Sequence, residues 1–226
     1  MPEAFVEALR SYRAEAVFNP WGECDPENDL DDQGANVRCR QLRRYLGERI
    51  GLADTLLLAE AVGYQGGHFS GIPMTSERLL LGGLRHKGIT PEMAFSSLAP
   101  RRTSKPDLRP TGFTEPTATI VWGFFVEQGI DPRRVVLWNA FPWHPYRPHK
   151  GLLSNRTPKD EELDAGRHIL LSILELGRFE RIVAVGEKSS GQLAQMGIAA
   201  QKVRHPANGG AGKFRQQLLA IMKKEG

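Results

Sequence analysis

The sequence predicts an α/β fold built on a mainly parallel sheet of four strands. Short apolar runs typical of buried strands recur along the chain, at residues 56–59, 135–138, 181–186 and 199–203. Segments with helical periodicity separate these runs, and this alternation is typical of a parallel sheet covered by helices. Polar loops follow three of the runs, at the end of a strand where α/β proteins place ligand-binding groups.

The predicted helices cover residues 3–14, 37–50, 115–127, 159–176, 189–196 and 213–223. Pro116 suits the first turn of its helix, and Gly129 ends that helix. Residues 88–114 contain four prolines and several positive charges, which predicts a long surface excursion. Because no repeat or linker divides the chain, we expect a single domain over residues 1–226.

Composition limits the class of protein. The formal charge of +4 is compatible with a polyanionic partner. No apolar run approaches the ~20 residues that span a bilayer, and the charged N-terminus predicts an amphipathic helix rather than a signal peptide. We therefore expect a cytoplasmic location and no membrane partner. Cys24 and Cys39 are the only cysteines, which excludes a disulfide framework and a four-cysteine metal site within this chain.

An acidic loop over residues 21–35 invites a calcium interpretation. Asp29, Asp31 and Gly34 resemble the opening of an EF-hand loop. The twelfth position is Arg40, however, where that site requires a bidentate Glu. The calcium interpretation is therefore rejected.

The stretch from Asp54 to Glu77 has the character of a strand, a loop and the start of a helix. Glycines in the loop, beginning at Gly63, allow tight turns or close approach to a ligand. Thr75 and Ser76 are plausible caps for the helix that follows. Long loops in compact domains are usually functional, so this loop is a candidate site, with an ordinary strand-to-helix connection as the alternative.

Three loops, at residues 60–76, 139–150 and 205–212, follow predicted strands and are expected to meet in one pocket. Glu60 is suited to orient a water, or alternatively to pair with an Arg. Asn139 offers an amide that reads the edge of a base, or caps a turn. His205 is suited to donate a hydrogen bond to a developing anion, with the amides of Gly209 and Gly210 near a phosphate, or is structural.

Three motifs in the same order resemble those of the uracil-DNA glycosylase superfamily, over residues 54–215. AEAVGYQGGHFSGIPMTSE (59–77) is similar to the first motif of its GEAPG branch. WNAFPWHP (138–145) is similar to the second strand-end motif, and RHPANGG (204–210) to the motif that presses into the minor groove. The resemblance implies a three-layer αβα sandwich around the four-stranded sheet.

The resemblance also implies roles for particular residues. Glu60, Asn139 and His205 take the catalytic positions, with Asn139 on the uracil edge and His205 facing uracil O2. The implied substrate-binding residues are Ala61, Gly63, Tyr64, Met74, Asn139, Pro206, Asn208, Gly209 and Gly210. The implied enzyme is a monomeric, monofunctional DNA N-glycosylase of base excision repair, which hydrolyses the N-glycosidic bond of a flipped base in DNA without metal or cofactor.

Three departures from the branch keep the substrate open. Ala61 stands where some branches place a water-activating Asp or Asn, and Met74 stands where this branch has a base-stacking Phe. Two cysteines cannot hold the iron–sulfur cluster that the branch usually carries. Uracil is the first expectation, followed by hypoxanthine or another deaminated base. A non-catalytic nucleic-acid-binding relative and a small-molecule nucleoside hydrolase are the competing interpretations.

Overall fold

The computed structural model describes residues 3–96 and 99–223. Its central sheet has four parallel strands in the order β3–β2–β5–β6, which confirms the predicted fold class. The strands are β2 (Thr55–Ala61), β3 (Val135–Phe141), β5 (Arg181–Val185) and β6 (Gln201–Val203). A short antiparallel pair, β1 (Val17–Phe18) and β4 (His144–Pro145), lies outside this sheet.

The helices agree with the predicted segments within a few residues and include two short ones, one within the first loop and one directly after it. They are α1 (Glu3–Ser11), α2 (Gly34–Gly47), α3 (Gly67–Ser70), α4 (Glu77–Leu80), α5 (Pro116–Gln128), α6 (Asp160–Leu176), α7 (Glu187–Gln195) and α8 (Ala211–Met222). Gly129 ends α5 in the left-handed conformation, and the Ser76 side chain caps α4 by accepting from the Leu79 N–H, as the sequence predicts.

The strand order fixes the layers. The chain passes from β2 to β3 in one direction and from β3 to β5 and β6 in the other. Right-handed crossovers therefore place α5 on one face of the sheet and α6 and α7 on the opposite face. Helix α8 joins α5, since Phe124 and Phe214 make an edge-to-face contact at 6.3 Å. Helices thus cover both faces of the sheet.

Helix α2 and the turn after it cover the outer edge of β3. The hydroxyl of Tyr45 accepts a hydrogen bond from the Leu137 N–H at 2.8 Å, and Arg49 donates to the Val135 carbonyl at 3.2 Å. Arg49 also donates to the Ala94 carbonyl at 2.7 Å. These bonds satisfy backbone groups that an edge strand would otherwise leave unpaired.

The acidic loop over residues 21–35 is held in place by the buried guanidinium group of Arg38. Arg38 forms two hydrogen bonds with the Asp29 carboxylate, at 2.7 and 2.9 Å, and both side chains are buried. Asp25 accepts from the Asn28 amide at 2.7 Å. The buried acidic residues of this loop therefore serve its folding.

The prediction of a surface excursion over residues 88–114 is wrong for part of the segment. Thr103 and Ser104 are buried, and both donate backbone N–H groups to the Glu77 carboxylate at 2.8 and 2.9 Å. The Ser104 hydroxyl donates to the same carboxylate. Phe113 is also buried and stacks on Phe69 with ring centroids 4.3 Å apart. Charge and proline content did not reveal these contacts, because they join residues distant in sequence.

The aromatic residues around β3 belong to the core. Trp138 is fully buried against Phe5 and Trp21, as its strand position predicts. Trp143 is also buried and stacks on Tyr12 at 3.7 Å. Within the described ranges, no helix has both the length and the apolar character needed to cross a bilayer.

Candidate active site

A cleft of about 600 Å³ opens at the carboxyl ends of β2 and β3. All three loops predicted to converge contribute to its wall. The lining includes the following predicted site residues: Glu60, Ala61, Gly63, Met74, Asn139, His205, Pro206 and Asn208. The parallel register explains the meeting of the first two loops, because Ala59 pairs with Asn139 and Ala61 with Phe141.

Glu60 is the residue before the last one of β2 and is partly buried. Burial raises the pKa of its carboxyl group above the usual 4.5, while the Thr157 side chain and the Lys188 ammonium beside it oppose that rise. The Thr157 side chain and the Lys188 charge thus favour the ionised form of this carboxyl group. An ionised carboxylate at the cleft wall is able to orient a water or to stabilise a nearby positive charge.

Asn139 lies inside β3, two residues before its end, rather than after the strand as the sequence suggested. It is 1% exposed, and its Oδ1 has no hydrogen-bond partner among the described residues. An unsatisfied buried acceptor costs about 1–3 kcal/mol. An unpaired amide oxygen at the wall of a cleft is suited to accept a hydrogen bond from a bound polar ligand.

His205 follows β6 and faces the same cleft. Its Nδ1 accepts a hydrogen bond from the Ala207 N–H at 3.1 Å. In the neutral ring the proton is therefore on Nε2. Burial, with a smaller effect of the Arg204 charge, lowers the His205 pKa below 6.5, so the neutral ring predominates at pH 7. His205 thus offers an N–H donor without carrying a positive charge.

The backbone of Gly186 makes room for this histidine. Gly186 directly follows β5 and has φ +94°, and a Cβ placed on it would lie 3.3 Å from the His205 Cβ. A larger residue would be strained by its backbone conformation and would crowd the imidazole.

Met74 lines the cleft in a strained conformation. It has φ +48° and is 4% exposed. The indole N–H of Trp122, on α5, donates to the Met74 carbonyl at 3.1 Å and holds this backbone in place. Left-handed non-glycine residues persist where the surroundings impose them, commonly at functional sites.

Three predicted binding residues, Tyr64, Gly209 and Gly210, are not in the cleft wall. The Tyr64 N–H donates to the Asn155 side chain at 3.0 Å, and its ring lies edge-on to Phe113. The Gly210 N–H donates to the Ala207 carbonyl at 3.0 Å, so this amide is used within its own turn. Their roles toward a substrate stay predictions.

A buried histidine pair, which the sequence did not reveal, connects the first two loops. Nδ1 of His68 lies 3.0 Å from Nδ1 of His144, and Nε2 of His144 lies 2.8 Å from the Ser154 carbonyl oxygen. Nε2 of His68 lies 3.3 Å from the Asp25 carboxylate. Burial lowers the pKa of His144 to about 3, which keeps it neutral. The pair fixes the segment that carries Asn155, a residue of the cleft wall.

Glu115 is a second residue of the wall that sequence reasoning missed. It immediately precedes α5, and the sequence marked it only as the start of that helix. Its Oε2 is buried and has no hydrogen-bond partner within the described ranges. Burial raises the pKa of this carboxyl group to about 7.

A second depression adjoins the cleft and shares Glu60, His205, Ala207 and Asn208 with it. Four basic residues line it: Lys188, Lys202, Arg204 and Lys213. Lys188 and Lys202 pair with Asp160 and Glu187. Arg204 and Lys213 are exposed and form no ion pair with another described residue. This side of the cleft therefore offers positive charge to an anion.

The cysteines do not fit an iron–sulfur cluster, which takes four cysteine ligands. The Cys39 thiol donates to the Trp21 carbonyl and the Cys24 thiol to the Asp32 carbonyl. Among the described residues, no group of three or more His, Cys, Asp and Glu side chains is arranged to hold a metal ion.

Comparison with known proteins bears on the fold of the chain. No family model and no curated protein is similar to the chain at a significant level. Among solved structures, wild-type SMUG2 from Pedobacter heparinus is similar, with a TM-score of 0.60 over 97% of each chain. The sequence identity is 15%. The likeness therefore concerns the fold.

Proposed function

We propose that this protein is a DNA glycosylase that hydrolyses the N-glycosidic bond of a flipped, deaminated base, with uracil as the first candidate. The observation that carries the proposal is the meeting of Glu60, Asn139 and His205 in one cleft at the strand ends. The fold supports it, because SMUG2 belongs to the uracil-DNA glycosylase superfamily. The motifs that resemble this superfamily supply the same three residues.

Recognition begins with the extruded base. A volume of about 600 Å³ lies within the usual range for small-ligand sites of ~300–1,000 Å³. The unpaired Oδ1 of Asn139 accepts a hydrogen bond from the base edge, and Met74 covers one face of the ring. Flipping costs a few kcal/mol and is easiest for a mispaired base, which favours deaminated bases over paired normal ones.

The chemical step separates charge. As the bond between the sugar C1′ and the base nitrogen breaks, its electron pair goes to the base, and the sugar becomes cationic. The Nε2–H of His205 donates to the anionic base. Glu60 stabilises the cation and orients the water, whose oxygen bonds to C1′ and whose proton passes to solvent or to the carboxylate. No lysine of a matched motif is placed to form a Schiff base, so the enzyme is monofunctional.

The basic depression beside His205 supports DNA as the partner. Arg204 and Lys213 are exposed and lie next to the turn that carries Asn208. Phosphate contacts by such residues provide affinity that is independent of sequence and depends on salt.

The test is an activity panel. Single- and double-stranded oligonucleotides that contain uracil, hypoxanthine or only normal bases are incubated with the protein, and abasic sites are detected by alkaline cleavage. We expect cleavage at uracil first. Binding without abasic sites on any substrate would contradict an enzymatic function, and equal turnover of free deoxyuridine would point instead to a nucleoside hydrolase.

A further inference from the structure

Glu115 reaches the cleft through space that a glycine provides. A Cβ placed on Gly66, in the loop after β2, would lie 2.1 Å from Oε2 of Glu115. Any larger residue at position 66 would displace the carboxyl group. The contact joins the loop after β2 to the start of α5 and presents the carboxyl group on the same wall as Asn139 and His205.

The carboxyl group has no partner that explains its burial. Neither a hydrogen bond to Oε2 nor an ion pair to Glu115 occurs within the described ranges. The Oδ1 of Asn139, on the same wall, is likewise buried without a hydrogen-bond partner among the described residues. Buried polar atoms are nearly always paired, so two unpaired atoms in one cleft indicate groups that pair with a bound ligand.

We propose that Glu115, as a neutral carboxyl group, donates a hydrogen bond to a carbonyl oxygen of the base as it leaves the sugar. The inference rests on the glycosylase function proposed above and deepens it. The electron pair of the broken bond spreads over the base nitrogen and the carbonyl oxygens. Glu115 keeps its proton and shares it with one of those oxygens, and His205 supplies a second donor.

The protonation state follows from the surroundings. The other titratable groups on the cleft wall are Glu60, Arg156 and His205. Arg156 is occupied by a two-point ion pair with Glu162, at 2.6 and 2.7 Å. Burial alone accounts for the raised pKa of Glu115, about 7. Below that pH the group is a donor, and above it a negative charge would repel the departing base.

The sign of the pH dependence is therefore fixed. Activity supported by neutral Glu115 is fully present below its pKa of about 7 and declines as the pH rises through that value. Titration of His205 gives a separate change on the acid side, because burial lowers its pKa below 6.5. The pH profile of activity therefore distinguishes the two residues, because Glu115 acts on its alkaline side and His205 on its acid side.

Glu115→Gln and Glu115→Leu form the informative pair of variants. Glutamine keeps a donor of the same shape but does not ionise, whereas leucine keeps neither property. We measure kcat/KM on a uracil-containing oligonucleotide from pH 5.5 to 9, with Glu161→Gln on the exposed start of α6 as the control. We expect Glu115→Gln to stay within about tenfold of the wild type and to lose the decline near pH 7. Glu115→Leu is expected to lose about 10²-fold at pH 6.

The inference is overturned if Glu115→Gln keeps the alkaline decline of the wild type, or if Glu115→Leu is as active as Glu161→Gln. A second measurement does not depend on turnover. Calorimetric binding of free uracil at pH 6 and pH 8 is expected to be about tenfold tighter at pH 6 in the wild type, since a group of pKa about 7 is protonated about ten times as often there. Glu115→Gln should bind equally at both.

These measurements separate the two proposals. A wild type that forms no abasic sites but binds uracil with this pH dependence would refute the glycosylase function and retain Glu115 as a base-contacting donor. A wild type that is active, with uracil binding independent of pH, would retain the glycosylase and refute the role of Glu115. Absence of uracil binding at both values would refute the role of Glu115 as well.

Discussion

His205 gives the sharpest prediction, because its two ring nitrogens have separable tasks. Nδ1 accepts from the Ala207 N–H at 3.1 Å and holds the loop, while Nε2–H is the proposed donor to the anionic base. Asparagine places an acceptor near Nδ1 and nothing at Nε2. Glutamine places a donor near Nε2. The variants His205→Asn and His205→Gln therefore remove one task at a time.

The magnitude follows from the type of interaction. Removal of one preorganised donor to a developing oxyanion lowers kcat by about 10²–10³, or about 2.7–4 kcal/mol. We expect a loss of this size for His205→Asn and a smaller one for His205→Gln. DNA affinity should change little, because the neutral imidazole contributes no charge to phosphate binding.

The assay is single-turnover formation of abasic sites on a uracil-containing duplex, paired with affinity measured by fluorescence anisotropy. Thermal unfolding of both variants checks that the loop is intact. A His205→Asn rate within a few-fold of the wild type would refute the donor role. An equal loss of rate and affinity would mean that His205 only positions the backbone.

Three further predictions follow from the cleft and its frame. Met74→Phe should bind the base as well as the wild type or better, whereas Met74→Ala should raise KM about tenfold. Collapse of activity in Met74→Phe would contradict the position of Met74 against the face of the base. Removal of both Arg204 and Lys213 should reduce the slope of log K against log salt by about 2 on duplex DNA, with Lys87→Ala as the control. An unchanged slope would exclude phosphate contacts by these two residues. Burial raises the pKa of Asp54, but hydrogen bonds from Thr55, Arg134 and Arg181 outweigh it and lower the pKa below 3.8. The stability that these bonds supply is present above pH 3.8 and is lost as the pH falls through the lowered pKa of folded Asp54. Asp54→Asn should therefore reduce the free energy of unfolding at pH 7 and flatten the fall of that free energy toward pH 3. Urea titration at both pH values measures this.

The sequence predicted the sheet and the convergence of its loops, because both depend on local pattern. It placed the ends of β2 and β3 too early. Glu60 and Asn139 lie within these strands, since the parallel ladder continues to the pair Ala61 and Phe141 beyond the apolar runs. When the last residues of a strand are polar, a prediction based on hydrophobicity ends the strand before its last backbone hydrogen bonds.

Other features of the site depend on contacts between distant residues. Glu115 packs on Gly66, 49 positions earlier, and its local sequence indicates only the start of a helix. The pairing of His68 with His144 likewise joins two loops whose approach the sequence did not specify. Local pattern predicts elements and their order, but not which buried polar atoms are left for a ligand.

The most direct test of the central claim concerns Asn139, whose buried and unpaired Oδ1 is assigned to the base. The measurement is the single-turnover rate of abasic-site formation at uracil, for the wild type and for Asn139→Ala, beside the affinity of each for the same oligonucleotide. We expect robust cleavage by the wild type and a loss of about 10²-fold or more in Asn139→Ala, with affinity nearly unchanged. Equal rates in the two proteins would contradict the claim that this cleft reads and releases the base.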